Sequence, residues 1–210
     1  MNGVVICDLD GTLIDSRTDL TAAVNLVRAE YDLTPISIDL ATSYVGDGVK
    51  KLIERALVGA EADLDEAVES MRHHYSQGML NKTYVYPTVF EGLATLKKIG
   101  FKLAVATNKP QGACEAILDA LGLSPLFDVI LGGSSDYPLK PDPAMLLLAM
   151  EKTGTCPEDS WMVGDNHTDL ASGRRAGVKI CYADYGFGSI GGESFDIRVD
   201  SFAKFAKSIS

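Results

Sequence analysis

The sequence predicts an α/β fold: a parallel sheet with helices on both faces and a helical segment inserted after the first strand. Three observations predict it. From residue 89 onward, short apolar runs alternate with segments of helical period. An isolated apolar run, Val4-Val5-Ile6, stands near the N-terminus. Between them lie roughly seventy residues of mainly helical pattern without a strand-like run. Strands that alternate with helices pair in parallel and are buried on both faces.

The elements follow in order. The run at 4–6 leads directly into Asp8 and Asp10. Helical spacing then covers "DLTAAVNLVRAEYDL", "GVKKLIERAL" and "LDEAVESMRHHYSQGML". The returns to the sheet fall near Asp15-Ser16 and at 84–87. That divides the chain into a core, 1–15 and 85–210, and a helical cap, 16–84. Residues 89–99 have helical spacing and stop at Gly100. "KLAVAT" is a buried strand, "GACEAILDALGL" a helix and "DVIL" a short strand. "DPAMLLLAMEKTG" carries Pro143 near its first turn and Gly154 after its last, as helices do. "WMVGD", "HTDLASGRRAG" and "VKICYA" continue as strand, helix, strand. "FDIRV" and "SFAKFAKSI" close the chain as strand and helix.

Bulk properties bound the function. The 210 residues are 46% hydrophobic and 23% charged, an ordinary globular balance. A formal net charge of −10 argues against nucleic acid as a partner. No apolar run nears the ~18 residues of a membrane span. Met1-Asn2-Gly3 has no basic stretch and Asp8 interrupts the apolar run, so no signal peptide is expected and the setting is cytoplasmic. Cys7, Cys114, Cys156 and Cys181 are scattered without a CxxC pair, as reduced core thiols are. Oligomeric state is not encoded in any recognisable pattern.

The chemistry concentrates where strands end. Open α/β sheets bind ligands at the carboxyl ends of their strands. Those ends carry Asp8 and Asp10, then Thr107 and Asn108, then Lys140 in a loop, then Gly164, Asp165 and, one helical turn on, Asp169. Alternation along an extended chain puts Asp8 and Asp10 on one face. Two carboxylates ~4 Å apart repel by about 1 kcal/mol in water and by more where solvent is scarce. A cation or a shared proton is needed to offset that. Carboxylates suit a hard cation such as Mg²⁺, whereas Thr107, the Asn108 amide, backbone N–H groups and Lys140 suit phosphate. The set describes phosphoryl transfer to an aspartate.

"DLDGTL", "ATNKP", "LKPDP" and "VGDNHTD", in that order, resemble the four motifs of the haloacid dehalogenase-like hydrolase superfamily. Within it, "TNKP", "YVGDG" and "YGFG" most resemble the phosphoglycolate phosphatase group. Asn166 stands where that group often has serine. The resemblance spans the chain and implies a Rossmann-like core with a helical cap. It implies that Asp8 is the nucleophile and Asp10 the acid/base whose backbone carbonyl also reaches the metal. Thr107 and Asn108 would hold phosphate, and Lys140 would bridge phosphate and nucleophile. Asp8, Asp10 and Asp165 would hold Mg²⁺, with Asp169 in support. The implied substrate is a small phosphate monoester, first 2-phosphoglycolate. A pyrophosphatase or a sugar phosphomutase of the same superfamily is the alternative.

Other features admit plainer accounts. Asp169 also fits a first-turn charge on the helix dipole. His73, His74 and His167 fit surface positions. Lys109 and Arg17 suit either an acidic substrate or solvent. In the cap loop, Gly46 and Gly48 would expose N–H groups to substrate, with Lys50 or Lys51 near a substrate carboxylate. "GFGSIG" matches G-x-G-x-x-G, but a strand-like run follows it where a dinucleotide site needs a helix. A flexible loop near the site is expected there. A non-enzymatic regulator would lack a reactive group, and none is missing.

Overall fold

The computed structural model describes residues 3–210; Met1 and Asn2, which begin both the first core segment and the stretch weighed as a signal peptide, lie outside them. Six strands form one parallel sheet: β1 (Val4–Cys7), β4 (Lys102–Pro110), β5 (Val129–Gly133), β6 (Trp161–Gly164), β7 (Lys179–Ala183) and β8 (Ile197–Val199). Their order is β5-β4-β1-β6-β7-β8. The chain therefore builds outward on one side of β1 and then crosses to the other. That reversal opens a crevice at the carboxyl end of β1.

Alternation on β1 divides the core. Val4 and Ile6 pack with Ala104, Ala106 and Met162 against α7 (Ala144–Thr153). Val5 and Cys7 face α5 (Val89–Lys98), α6 (Gln111–Ala120) and α9 (Phe202–Ser208). The remaining sheet helix, α8 (His167–Ala176), follows β6.

Four helices lie between β1 and α5: α1 (Arg17–Glu30), α2 (Ile38–Thr42), α3 (Val49–Ala56) and α4 (Leu64–Gly78). Where the chain leaves and re-enters the core, β2 (Ile14–Asp15) pairs antiparallel with β3 (Tyr84–Val85). Leu20, Val24, Leu52, Ile53, Met71 and Tyr75 of this segment join the same apolar cluster as Val5 and Cys7. Burial thus continues from the sheet into the inserted helices.

Two short features depart from the sequence expectation. β4 runs three residues beyond Thr107, because Pro110 still pairs with Gly133 across a shift in register. Cys156 is exposed, whereas Cys7, Cys114 and Cys181 are buried. All four are free thiols, and burial pushes the Cys114 thiol up to about 12. Among the described residues, no helix is long and apolar enough to cross a membrane.

Candidate active site

The carboxyl ends of β1, β4 and β6 meet under the inserted helices and line a cavity of about 760 Å³. Asp8 follows β1 and its amide donates to Val163 O, so its backbone continues the sheet (2.9 Å). Asp165 follows β6 and Asp169 lies in the first turn of α8. Ligand oxygens of Asp8, Asp165 and Asp169 lie within 4.8 Å of one another, all buried.

Lys140 enters this group from the loop before α7. Its Nζ donates to Asp8 Oδ1 at 2.8 Å and to Asp169 Oδ1 at 2.6 Å. Asn108 positions that lysine. Its Oδ1 accepts from Lys140 N, and its Nδ2 donates to both Lys140 O and Gly46 O, each at 2.8 Å. The Asn108 side chain is therefore a brace for the lysine loop and not a free phosphate donor. Thr107 is buried, and its Oγ1 accepts from Lys109 N.

Asp10 stands apart from the other three carboxylates. Lys109 Nζ donates to its Oδ1 at 3.1 Å and Oδ2 at 2.9 Å, and Ser16 Oγ donates to Oδ1. Asp8 and Asp10 thus face different ammoniums, Lys140 (shared with Asp169) and Lys109, a third way of offsetting their repulsion besides a metal or a shared proton. Lys109 is buried, so a solvated role is excluded. Its neighbours Asn108 and Pro110 gave the only sequence signal, since a lysine inside a strand-end motif faces the ligand crevice.

The loop after β7 has a definite task. Phe187 N and Gly188 N both donate to Asp165 Oδ2, at 2.9 and 2.7 Å. The backbone comes so close that a Cβ on Gly186 would lie 2.4 Å from Asp165 Cβ. From the other side, Gly11 adopts φ +87°, and a Cβ there would strike the Asp165 carboxylate. "GFGSIG" is accordingly a carboxylate cradle. β8 follows it without an intervening α-helix, so the dinucleotide reading fails.

Asp169 serves the helix and the cluster together. With Asn166 it forms a capping box on α8, its Oδ2 accepting from Asn166 N at 3.0 Å while Oδ1 holds Lys140. Asn166 Nδ2 also reaches Val45 O at 3.5 Å.

Some sequence-selected residues are elsewhere. Gly46 and Gly48 line the cavity, but the loop meets the core through the Val45 and Gly46 carbonyls and not through N–H groups. Lys50 pairs with Asp65 and Lys51 with Glu54 in exposed positions outside the cavity lining. The α3 helix turns them outward as it buries Leu52 and Ile53. Arg17 grips Asp15 with a 2.6 Å ion pair. His74 contacts Glu30, and His167 lies 3.7 Å from Asp47.

The charges explain the electrostatics. Four carboxylates and two ammoniums leave a formal −2 when all are ionised. Burial pushes the Asp8 carboxyl up to about 6 against the pull of Lys140. Burial, with Asp169 and Asp8 nearby, holds Asp165 well above the usual carboxylate range. Oxygen-only donors with an excess charge of two suit a hard divalent cation.

A model of the haloacid dehalogenase-like hydrolases matches residues 5–183. The chain belongs to that family. The hydrolase is 40% identical to a phosphoglycolate phosphatase of Aquifex aeolicus, over 88% of this chain and 85% of that protein. It is 39% identical to a phosphoglycolate phosphatase of Psychrobacter arcticus, over 88% and 84%. The crystal structure of a predicted phosphoglycolate phosphatase from Haemophilus somnus superposes with a TM-score of 0.93 at 31% identity, covering 100% of this chain and 98% of that one.

Proposed function

We propose that this hydrolase is a cytoplasmic, Mg²⁺-dependent phosphatase that cleaves a small phosphorylated acid, 2-phosphoglycolate first. The observation that carries it is the pairing of Asp8 with Lys140 and Asp10 with Lys109 on the floor of one covered cavity. The names of the similar proteins support the same substrate. Residues 1–15 and 85–210 act as the catalytic core and 16–84 as the cap that keeps out water and large esters.

Asp8 attacks phosphorus, and the bond to the ester oxygen breaks. Asp10 passes a proton to that oxygen, so the product leaves as an alcohol. Asp10 then takes a proton from water, which attacks phosphorus and releases Asp8 and phosphate. Lys140 orients Asp8 and balances charge on the phosphate, beside Thr107 and the Asn108 backbone. Asp8, Asp165 and the Asp10 carbonyl would hold Mg²⁺, with Asp169 supporting them. Bound there, the ion screens the nucleophile from the phosphate it attacks.

The acid group of the substrate also has a partner. Three cations line the cavity among the described residues: Lys109, Lys140 and Arg72. The two lysines are committed to aspartates. Arg72, on the cavity face of α4, is held by an exposed pair with Glu69. Such pairs are worth about 0–1 kcal/mol, so the guanidinium is available to a carboxylate. The test compares kcat/KM for 2-phosphoglycolate, pyrophosphate, sugar phosphates and nucleotides with Mg²⁺. 2-Phosphoglycolate is expected to lead, and Arg72→Gln to lower its value by roughly 10–100-fold while an aryl phosphate without a carboxylate changes little. A tenfold preference for pyrophosphate or a sugar phosphate overturns the substrate class.

A further inference from the structure

We propose that Tyr75 of helix α4 is a positioning residue for Asp10, acting through Lys109. The inference rests on the reading of Asp10 as the proton donor. A lysine ammonium has three hydrogens to donate. Here two oxygens of Asp10 and the hydroxyl of Tyr75 surround it, the last at 2.8 Å. The Lys109 side chain is 4% exposed, so water does not replace a missing partner. Its backbone is fixed at both sides, by the bond from Lys109 N to Thr107 Oγ1 and by Pro110, which still pairs with Gly133. The ammonium is thus held between Asp10 on one side and Tyr75 on the other.

Tyr75 belongs to the inserted helices. It is buried, on the face of α4 that turns Met71, Arg72 and Ser76 toward the cavity. Its ring packs in the cluster shared with the sheet. The hydroxyl is thus carried by a well-packed ring and reports the seating of α4 to the ammonium. When α4 is seated, Lys109 is held on the helix side and the Asp10 carboxylate lies across its two remaining hydrogens. Removing the hydroxyl leaves a buried ammonium hydrogen without a partner, which costs free energy unless the ammonium shifts. A shift strains or turns the Asp10 carboxylate, because both its oxygens are bound to Nζ while Ser16 Oγ holds Oδ1 from the other side. Asp8 is spared, since it pairs separately with Lys140, which Asp169 holds in turn.

This arrangement predicts a loss confined to proton transfer. An alkyl phosphate needs a proton on its leaving oxygen, whereas p-nitrophenyl phosphate scarcely does. The ratio kcat/KM reports only steps through release of the alcohol, so later hydrolysis of the aspartyl-phosphate does not enter it. The experiment measures kcat/KM for wild type and Tyr75→Phe over a series of monoesters from alkyl to nitrophenyl. The variant keeps the ring and loses only the hydroxyl. The expected result is a fall of about 10-fold or more for alkyl esters and under about 3-fold for p-nitrophenyl phosphate, a general-acid signature. Lys109→Met should show the same dependence, and the double variant should lose no more than Lys109→Met alone, because the residues act as one unit. A uniform fall across the series marks a merely structural residue and overturns the proposal, as does no fall. If Lys109→Met does not fold, the Tyr75→Phe series decides alone. A wild type that turns over no ester overturns the phosphatase reading itself, and this inference with it.

Discussion

At the scale of single residues, the site is a contest between burial and pairing, and Asp8 shows it most directly. Lys140 favours its charge, burial opposes it, and burial wins, raising the carboxyl from 3.8 to about 6. A carboxyl raised in the folded state binds its proton more tightly there than in the unfolded chain. Its contribution to stability is therefore complete below about pH 4 and lost as pH rises through about 6. At about 1.4 kcal/mol per tenfold change, ionised Asp8 costs up to about 3 kcal/mol in metal-free protein. Asp8→Asn removes that cost and leaves Lys140 its partner Asp169. Above pH 6 and in EDTA, the variant is expected to melt several degrees higher than wild type, with the gap closing toward pH 4. It should also lose phosphatase turnover, because an amide is not a nucleophile. An equal or lower melting temperature above pH 6 would contradict the electrostatic account, and retained turnover would contradict the chemical one. Asp8 and Asp10 were legible because two aspartates ending an apolar strand need an explanation. Lys109 was not, because its character depends on Tyr75, 34 positions away, and no local pattern encodes that contact.

At the scale of elements, legibility followed length. The strands of the sheet and the helices α1 and α3–α9 repeat their period often enough to be seen in sequence. The five-residue α2 and the two-residue strands β2 and β3 are too short to do so. The stretch at 186–191 illustrates a different limit. Its glycines marked a loop, but the loop's purpose lies in its proximity to Asp165, contributed by another strand end. That proximity yields a sharp expectation. A methyl on Gly186 would lie 2.4 Å from Asp165 Cβ and from Gly11 O, and neither neighbour is the end of a flexible side chain. Gly186→Ala must therefore push the loop away, loosening the two N–H groups that fix Asp165 Oδ2. Groups that orient a metal ligand typically contribute 10–100-fold in affinity. Titration calorimetry should show Mg²⁺ affinity weakened by about that factor, with near-wild-type turnover recovered at high Mg²⁺. Unchanged affinity would mean that the cradle does not orient the ligand.

For the whole molecule, the puzzle is how a chain of formal charge −10 attracts an anionic ester. Exposed charge is screened over about 8 Å at physiological salt, so the local site decides. That site holds four aspartates and two lysines, and a divalent cation brings the group to neutrality. The cation and protons then compete for the same oxygens, since Asp8 and Asp165 are both raised in its absence. As pH climbs through 6 the metal-free protein loses stability, while the site becomes a better ligand. The first change lowers both melting temperatures and the second raises only the metal-loaded one, so the difference in melting temperature between Mg²⁺ and EDTA should widen from pH 5 to pH 8. At a cation concentration 100 times Kd, binding adds about 2.7 kcal/mol, or about 5–10 °C for a domain of this size. Asp165→Asn should abolish most of the difference at both pH values, since the amide keeps the shape and loses the charge. Ca²⁺, which accepts more ligands and looser geometry, should stabilise the protein and fail to support turnover, because both Asp8 oxygens can then be drawn onto the ion. A melting difference that stays constant with pH, or that survives in Asp165→Asn, would show that Mg²⁺ binds elsewhere and that the buried carboxylates are balanced by their lysines alone.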